Sequence, residues 1–291
     1  MSERSPFKNT LPNLLVEKAV MTTLEEDLGL RGDITTNNIF DEKTVGTATL
    51  RAREKGILAG QGFVTTAFTL LDPTAEITWH KQDGNTLSPK EIIATINAPV
   101  RTILTAERTA LNFLGHLSGI ASLTRRFVDK VSHTNAKIAD TRKTTPGLRF
   151  AQKYAVLAGG GTNHRFRLDD AVMIKDNHIA FAGGISQAIE KVKTTLGHMV
   201  KIEVEVDNLD QLETCLKHNI DAVLLDNMQP ETLRQAVKLI DGKLIAEASG
   251  GINLDTVQEI AETGVDIISV GALTHSAPCL DLGLDIDIPA T

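Results

Sequence analysis

The second half of the chain alternates short apolar runs with longer segments of helical hydrophobic spacing. From about residue 135, each apolar run ends in polar or charged residues, and successive ends lie roughly 20 to 35 residues apart, the length of a βα unit. This pattern predicts six strands. They are KIAD, AVMIKD, VKIEVEVD, AVLLDN, KLIAEASGG and IISVGA, which end near Asp140, Lys175, Glu205, Asp226, Ser249 and Gly271.

Repeated βα units form either an α/β barrel or an open doubly wound sheet. Polar residues follow every predicted strand, which favours the barrel, because loops at the C-terminal ends of barrel strands together build one active site. An open sheet binds its ligand at the crevice where the strand order reverses. Since six strands are fewer than the usual eight, the sequence predicts an incomplete α/β barrel.

The first half of the chain has a mixed pattern that predicts an α+β domain. Some segments place apolar residues at helical spacing, whereas others alternate apolar and polar residues as strands do. The runs AEITWHK and EIIATINAPV flank a turn sequence, DGN. The pattern predicts helices over 11–30 and 61–71, a strand over 44–53, and the two runs beside the turn over 75–81 and 91–100.

A long helical periodicity follows over residues 102–131. Gly115 and Gly119 interrupt it, and glycines inside a helix weaken it or mark a bend. We therefore expect either a pair of helices or one kinked helix before the barrel strands begin.

Composition restricts the partners and the compartment of the protein. A formal net charge of −7 gives no general attraction to nucleic acid or to an anionic membrane. The chain has no apolar run of about 18 residues, and its N-terminus lacks an apolar signal core. Cys215 and Cys279 lie in no metal-ligand or CxxC spacing, so both are expected to be small buried residues. We expect a cytoplasmic protein without membrane or nucleic-acid partners.

Basic residues cluster around the first two predicted barrel strands. One cluster is the loop DTRKTTPGLR after the first strand, and the other lies in the segment before AVMIKD and at the end of that strand. Either loop alone is as well explained by a solvated charge run, and a lone histidine by a structural role. Adjacent strand ends of a barrel face the same mouth, however. In a chain of net negative charge, such a basic mouth predicts a small ligand with several negative charges. The candidate residues are Thr141, Arg142, Lys143, His164, Arg165 and Lys175.

Carboxylates end the next two predicted strands. Alternation in KIEVEVD places Glu203 and Glu205 on one strand face, which points into a barrel interior, and Asp226 ends AVLLDN. Buried carboxylates without partners are costly, so we expect them to meet Lys175, Lys143 or a divalent metal. A structural layer of ion pairs is the alternative. For Glu205 and Asp226 we favour a functional role over a structural ion pair. For Glu203 the two interpretations are equally well supported.

Glycine-rich turns end the last two predicted strands, in ASGGI and SVGALTHS. Such turns, when they precede helices at late barrel strands, bind phosphate through backbone N–H groups and the helix dipole. Each motif alone is weak. Because they occur at consecutive strands, together they indicate a phosphorylated ligand.

These motifs, in this order and spacing, resemble the quinolinate phosphoribosyltransferase family. The segments that carry the resemblance are DTRKTTPGLR, KYAVLAGGGTNHR, IKDNHI, EVEVDN, LLDN, EASGGI and SVGALTHS, and LEEDLGLRGDITT, AREKGILAG and ERTALNFLGHLSGIA extend it to the first half. The resemblance implies a homodimer, or a larger assembly, with shared active sites, in which an N-terminal α+β sandwich closes the partner's incomplete barrel. The implied domains are 1–115 for the sandwich, 116–275 for the barrel, and 276–291 for a tail that packs with the sandwich.

The resemblance also implies an activity: transfer of the phosphoribosyl group from phosphoribosyl pyrophosphate to quinolinate with decarboxylation, for NAD biosynthesis, with Mg²⁺ as cofactor. Quinolinate recognition would fall to Thr141, Arg142, His164, Arg165 and Lys175, with Arg108 reaching in from the other subunit. Phosphoribosyl pyrophosphate would meet Lys143, Lys175, Glu205, Asp226, Ser249, Gly250, Gly251, Val270, Gly271, Ala272 and His275.

Among these, Lys143, Glu205 and Asp226 are the expected catalytic residues, and Glu205 and Asp226 would hold Mg²⁺ directly or through water. One position departs from the family pattern, since Arg167 stands where glycine is expected, and this puts the local loop geometry in question.

Two other functions are compatible with parts of this pattern. A lysine at a barrel strand end, Lys143 or Lys175, could form a Schiff base as in an aldolase-like enzyme. The surrounding cations explain these lysines better as anion ligands. A non-catalytic phosphate-ligand sensor, or a family paralogue attached to metal-cofactor transport, would instead bind its ligand without releasing pyrophosphate.

Overall fold

A computed structural model describes residues 10–286, and the chain divides into two compact units. Unit 1 contains the chain up to Arg125, together with Pro146–Gly160 and the segment from Ser276 onward. Unit 2 contains Arg126–Thr145 and Gly161–His275. The division differs from the predicted ranges, which assigned all of 116–275 to the barrel.

The helices and strands of the described chain are numbered here in chain order. They are α1 (Asn13–Leu28), α2 (Ile34–Ile39), β1 (Val45–Ala52), β2 (Gly56–Ile57), α3 (Gln61–Leu71), β3 (Glu76–Trp79), β4 (Thr86–Leu87), β5 (Ile92–Pro99), α4 (Val100–Val131), β6 (Lys137–Ala139), α5 (Arg149–Ala158), β7 (Val172–Ile174), α6 (Asp176–Ala182), α7 (Ile185–Lys193), β8 (Ile202–Val206), α8 (Leu209–Cys215), β9 (Ala222–Asp226), α9 (Pro230–Ile240), β10 (Ile245–Ser249), α10 (Val257–Ala261), β11 (Ile267–Ser269), α11 (Ala272–His275) and β12 (Leu282–Ile286).

Unit 1 is built on a four-stranded antiparallel sheet in the order β12-β1-β5-β3. In β1, Ala48, Leu50 and Ala52 alternate along the strand and are buried, as expected for a strand that covers a core, whereas Val45 at its start is exposed. Helix α1 buries Val16, Val20 and Leu24, which recur every four residues and form the apolar stripe of an amphipathic helix. The helical and strand segments predicted in the first half are therefore confirmed, with ends shifted by a few residues.

Helix α4 is one continuous helix of 32 residues, which excludes the predicted pair of helices. Its two glycines lie where the chain before β12 passes close to the helix. A Cβ on Gly119 would lie 2.0 Å from the Pro278 carbonyl oxygen, and one on Gly115 would lie 3.0 Å from that of Leu280. The Leu280 N–H also donates to the Gly115 carbonyl at 2.9 Å. The glycines therefore permit close backbone approach and do not end the helix.

Helix α5 follows the first barrel strand in sequence but belongs to unit 1. The Tyr154 hydroxyl donates to Asp83 at 2.5 Å, and the Gln152 amide lies 2.8 Å from the His116 ring. Both contacts join residues far apart in sequence, which is why the pattern of apolar residues did not assign this helix to unit 1.

Unit 2 is built on a six-stranded parallel sheet in the order β6-β11-β10-β9-β8-β7. Strands β7 to β11 follow one another in chain order, and β6 pairs with β11, whereas β6 and β7 lie at the two ends of the sheet order. Ala139 of β6 forms an isolated parallel bridge with Thr162, in the segment before β7. An open doubly wound sheet would instead reverse its order at a switch point. The cyclic order with one unpaired junction confirms the predicted incomplete α/β barrel and its six strands.

Two expectations about individual residues and membranes can be compared with the structure. Cys215 is buried at the end of α8, and burial raises the pKa of its thiol to about 11. Cys279 is exposed, so its predicted burial is wrong; it lies in the irregular segment before β12. Among residues 10–286, no helix has the length and apolar character needed to cross a membrane.

Candidate active site

The C-terminal ends of the unit 2 strands surround a cavity of about 540 Å³. Parallel strands present their carboxyl ends at one edge, so residues that end successive strands converge there. Most predicted site residues line this cavity. They are Thr141, Arg142, Lys143, His164, Arg165, Lys175, Glu205, Asp226, Ser249, Gly250 and Gly251.

The last glycine-rich turn lies beside the cavity residue Lys143. A Cβ on Gly271 would lie 3.0 Å from Lys143 Cδ and 3.3 Å from His275 Nε2. The Thr274 hydroxyl donates to the Lys143 carbonyl at 2.7 Å, which ties the start of α11 to the basic loop after β6. Gly271 and His275 therefore neighbour the cavity without lining it.

Three predicted residues lie elsewhere. Val270 is 2% exposed and its N–H donates to the Ala139 carbonyl at 2.9 Å, so its side chain belongs to the core. Ala272 begins helix α11 and is not among the lining residues. Arg108 is an exposed residue of α4, and within the described chain it makes no ion pair.

One wall of the cavity carries two arginines with unused hydrogen-bonding capacity. The Nε atoms of Arg142 and Arg165 are buried and have no hydrogen-bond partner among residues 10–286. Arg165 Nη1 donates to the Ala171 carbonyl at 2.8 Å, which fixes one end of the guanidinium. Burial and the neighbouring Arg142 charge lower the pKa of Arg165, while Glu203 and Asp170 oppose that change. Two half-buried arginines, each with a buried Nε donor that has no partner among residues 10–286, are suited to carboxylates, which guanidinium groups bind in a bidentate manner.

Two carboxylates line the cavity at β8 and β9. Glu205 pairs with the ammonium group of Lys175, which ends β7, and only 13% of the Glu205 side chain is exposed. Asp226 ends β9, and its Oδ2 accepts a hydrogen bond from Asn227 Nδ2 at 2.6 Å. Within the described chain, the other Asp226 oxygen accepts no hydrogen bond. Glu205 therefore meets one of its expected partners, and Asp226 retains a free oxygen at the cavity.

The glycine turn after β10 is shaped by the residue that follows Asp226. Asn227 has a φ of +53° and its N–H donates to the Ser249 carbonyl at 2.9 Å. A Cβ on Gly250 would lie 2.1 Å from Asn227 Oδ1, and Gly250 has a φ of +97°. Only glycine suits this position, because side chains disfavour positive φ and the space is already filled. The turn thus brings bare backbone to the cavity edge.

A buried acid that the sequence analysis did not select, Glu247, also lines the cavity. His164 Nε2 lies 3.0 Å from Glu203 Oε2 and 3.6 Å from Glu247 Oε1. Burial, and then the Glu203 charge, raise the pKa of Glu247 to about 7, against smaller opposing effects of His164 and Ser269. The alternation of side chains along β10 could have identified Glu247 from the sequence. Ser249 was a candidate, and Glu247, two positions earlier, lies on the same face of the strand.

The loop that carries His164 and Arg165 is held by Asp140, which follows β6, and by Asp170 within the loop. The His164 N–H donates to Asp140 Oδ1 at 3.0 Å, and the Phe166 N–H donates to Asp170 Oδ2 at 2.8 Å. Arg167, the departure from the family pattern, is exposed and pairs with Asp169 at 3.0 Å. Its side chain does not line the cavity.

The fold and the cavity define a class: an α/β-barrel protein with a basic, partly acidic pocket for anionic substrates at its strand ends. Models of two domains match the chain, the quinolinate phosphoribosyl transferase C-terminal domain over residues 120–285 and its N-terminal domain over residues 33–118. The chain belongs to the quinolinate phosphoribosyltransferase family, as its motifs indicated.

Relatives of the same family align with this chain over most of its length. It is 43% identical over 276 residues to the probable carboxylating nicotinate-nucleotide pyrophosphorylase of Bacillus subtilis, covering 95% of each protein. It is 44% identical over 281 residues to the corresponding probable enzyme of Methanocaldococcus jannaschii, covering 92% of this chain and 96% of that protein. The solved nicotinate-nucleotide pyrophosphorylase of Francisella tularensis superposes with a TM-score of 0.92 at 43% identity, over 98% of this chain and 100% of that one.

Proposed function

We propose that this protein transfers the 5-phosphoribosyl group of phosphoribosyl pyrophosphate to quinolinate, giving nicotinate mononucleotide, pyrophosphate and carbon dioxide in NAD biosynthesis. The observation that carries the proposal is the division of charge in the unit 2 cavity. Arg142 and Arg165 present buried, unpaired donors at the β6 and β7 side, while Glu205 and Asp226 present carboxylates at β8 and β9. A diacid and a phosphorylated sugar are the pair of ligands that such a cavity suits.

The two adjacent carboxylates of quinolinate match the two guanidinium groups. Each planar guanidinium can bind one carboxylate with two parallel hydrogen bonds. His164, which also lines the cavity, lies 3.0 Å from Glu203 and 3.6 Å from Glu247. The ring nitrogen of quinolinate is then left to face the part of the cavity formed by β8 and β9.

The reaction requires positioning and charge stabilisation and no protein nucleophile. The ring nitrogen forms a bond to the ribose anomeric carbon as the bond from that carbon to pyrophosphate breaks, and positive charge develops on the sugar. Carboxylates beside that carbon stabilise an oxocarbenium-like state, a role suited to Glu205 and Asp226. The cationic ring then stabilises the electron pair left at its carbon when the adjacent carboxylate departs as carbon dioxide.

The donor set also fits a Mg²⁺ ion. Mg²⁺ binds through one or two protein carboxylates together with substrate phosphates, and Asp226 has a free oxygen at the cavity while Glu205 lies on the next strand. When bound, the ion would neutralise charge on the leaving pyrophosphate. Removal of divalent ions with EDTA should stop pyrophosphate release while quinolinate binding, measured by calorimetry, persists. Unchanged release in metal-free buffer would contradict this role.

Arg108 fits a second role in a cytoplasmic homodimer, completion of the partner subunit's cavity. Its side chain is exposed and makes no ion pair within the described chain, so its charge is available to a ligand. Mixing inactive Arg108→Ala subunits with inactive Lys143→Ala subunits should restore activity, because one of the two sites in each mixed dimer contains both native residues. Mixed dimers that form and stay as inactive as both parents would contradict the shared site.

The proposed function is tested by incubating the purified protein with quinolinate and phosphoribosyl pyrophosphate and measuring pyrophosphate and carbon dioxide. Both products should form in equal amounts. A protein that binds phosphoribosyl pyrophosphate but releases neither product would instead support the non-catalytic sensor. Borohydride trapping of Lys143 or Lys175 with a carbonyl substrate would support the aldolase-like alternative.

A further inference from the structure

Two buried glutamates beside His164, Glu203 and Glu247, have no part in the binding roles described above. Glu247 and His164 line the cavity, whereas Glu203 is not among the lining residues. The Oε1 atom of Glu247 is buried and has no hydrogen-bond partner among residues 10–286, and only 4% of the side chain is exposed. An unpartnered polar atom of a buried acid that reaches a ligand cavity requires an explanation.

The surroundings of Glu247 favour its neutral, proton-bearing form. Leu224 of β9 and Ile267 of β11 flank it in the sheet register, and neither can stabilise a carboxylate. Glu203 faces it from β8, and two buried carboxylates this close to one histidine disfavour double ionisation. The Ser269 hydroxyl and His164 act in the opposite direction but weakly, so the pKa of Glu247 lies near 7.

The cations of the same cavity do not remove the need for this proton. Arg165 interacts with the Glu203 charge, and His164 lies closer to Glu203 than to Glu247. Arg165 and His164 therefore stabilise a negative charge on Glu203 more than one on Glu247. A divalent metal could also bind three such ligand atoms, which lie within 4.8 Å of one another. The positive charges of Arg142 and Arg165 at the same wall disfavour that use, and a proton satisfies the group without a further cation.

The proposed reaction has one unassigned requirement, a proton. When the bond between the ring carbon and its carboxylate breaks, carbon dioxide leaves and the electron pair stays on that carbon. Until a proton is delivered to that carbon to give the C–H bond of the product, the carbanion can recapture carbon dioxide, so slow protonation slows the net release of carbon dioxide.

We infer that Glu247 supplies this proton from its carboxyl group and that His164 returns one to it from the cavity. This inference rests on the proposed function. The O–H bond of Glu247 breaks as the new C–H bond forms, leaving a carboxylate beside His164. The histidine transfers a proton to that carboxylate and takes one from solvent, so each turnover consumes one proton and the group is restored. Glu203 acts as a positioning residue, since it holds the His164 ring.

The experiment separates the two products in a single turnover with enzyme in excess. Glu247→Gln keeps the shape and neutrality of the side chain but cannot donate an acidic proton. We expect it to release pyrophosphate within a few-fold of the wild-type rate and carbon dioxide about 10²- to 10⁴-fold more slowly, the usual contribution of a general acid. Glu247→Asp, which keeps the acid, should recover part of the carbon dioxide rate. Glu259→Gln, an exposed change on α10, is the matched control.

The possible results are distinct. Carbon dioxide release by Glu247→Gln at the wild-type rate overturns the inference. Wild-type protein that forms neither product overturns the proposed function itself. If circular dichroism shows that Glu247→Gln does not fold, the pH dependence of the two products in the wild-type protein tests the inference instead. An acid donor must be protonated, so carbon dioxide release should fall as pH rises above about 7 while pyrophosphate release does not. Equal pH dependence of both products overturns the inference.

Discussion

The glycine turn after β10 offers a matched pair of substitutions that tests how the cavity edge is built. Gly250 and Gly251 are neighbours with positive φ values of +97° and +62°. A methyl group on Gly251 would meet nothing within 4 Å, whereas one on Gly250 would lie 2.1 Å from Asn227 Oδ1 and 2.9 Å from the Asn227 nitrogen. Gly251→Ala therefore has only the cost of placing an alanine at positive φ. Gly250→Ala has that cost and also a steric clash with the side chain and backbone nitrogen of Asn227.

The expected magnitudes follow from these contacts. A left-handed conformation costs an alanine about 1–2 kcal/mol. The clash adds on the order of 1–3 kcal/mol, as does overpacking in a core. We expect Gly250→Ala to lower the free energy of unfolding by about 3 kcal/mol and Gly251→Ala by about 1 kcal/mol. At about 2–4 °C per kcal/mol for a unit of this size, the Tm values should differ by roughly 4–8 °C.

The same clash has a functional consequence, because Asn227 holds Asp226 through its amide. Displacing Asn227 should move the Asp226 carboxylate and raise the KM for phosphoribosyl pyrophosphate, with little change in quinolinate affinity. Thermal unfolding by calorimetry and initial-rate kinetics measure the two effects. Equal stability losses in the two variants would refute the steric reasoning, and a normal KM for phosphoribosyl pyrophosphate in Gly250→Ala would refute its link to Asp226.

Three further predictions concern the cavity and unit 1. Asp226→Asn should lower kcat more than it weakens quinolinate binding, and an unchanged kcat in steady-state assays would exclude a role for its charge. Nicotinate should be a poor substrate, because it leaves a guanidinium of Arg142 or Arg165 unpaired, commonly a loss of several kcal/mol; equal kcat/KM values for both acids would refute this. Tyr154→Phe removes a hydrogen bond to buried Asp83 and should cost about 2 kcal/mol in urea unfolding. Burial raises the pKa of Asp83, whereas the hydrogen bond from Tyr154 lowers it; Tyr154→Phe therefore raises this pKa further, and its loss of stability should grow as pH rises above the ordinary value of 3.8.

The local pattern of the sequence was enough to predict the barrel and most of its cavity. Each barrel strand is a short apolar run, and the polar residue that ends it is carried to the cavity because all six strands are parallel. Lys175, Glu205 and Asp226 therefore converge although about 50 residues separate the first from the last.

Features that depend on distant contacts were beyond this reasoning. Gly115 and Gly119 suggested a break in α4, but their reason lies in residues near 280 that approach the helix. Helix α5 follows a barrel strand in sequence, yet its side-chain partners Asp83 and His116 belong to unit 1. Alternation with Ser249 could have placed Glu247 on the cavity face of β10, but its burial beside His164 and Glu203 depends on strands and loops distant in sequence.

In the proposed reaction, the unit 2 cavity couples phosphoribosyl transfer to the loss of one particular carboxylate of quinolinate. Quinolinate labelled with ¹³C in the carboxylate next to the ring nitrogen, and separately in the other carboxylate, tests it directly with phosphoribosyl pyrophosphate and NMR detection. We expect label from the carboxylate next to the ring nitrogen to appear in carbon dioxide, in an amount equal to the pyrophosphate released. Label in the other carboxylate should stay in nicotinate mononucleotide. Carbon dioxide without pyrophosphate, pyrophosphate without carbon dioxide, or release of the second carboxylate would contradict it.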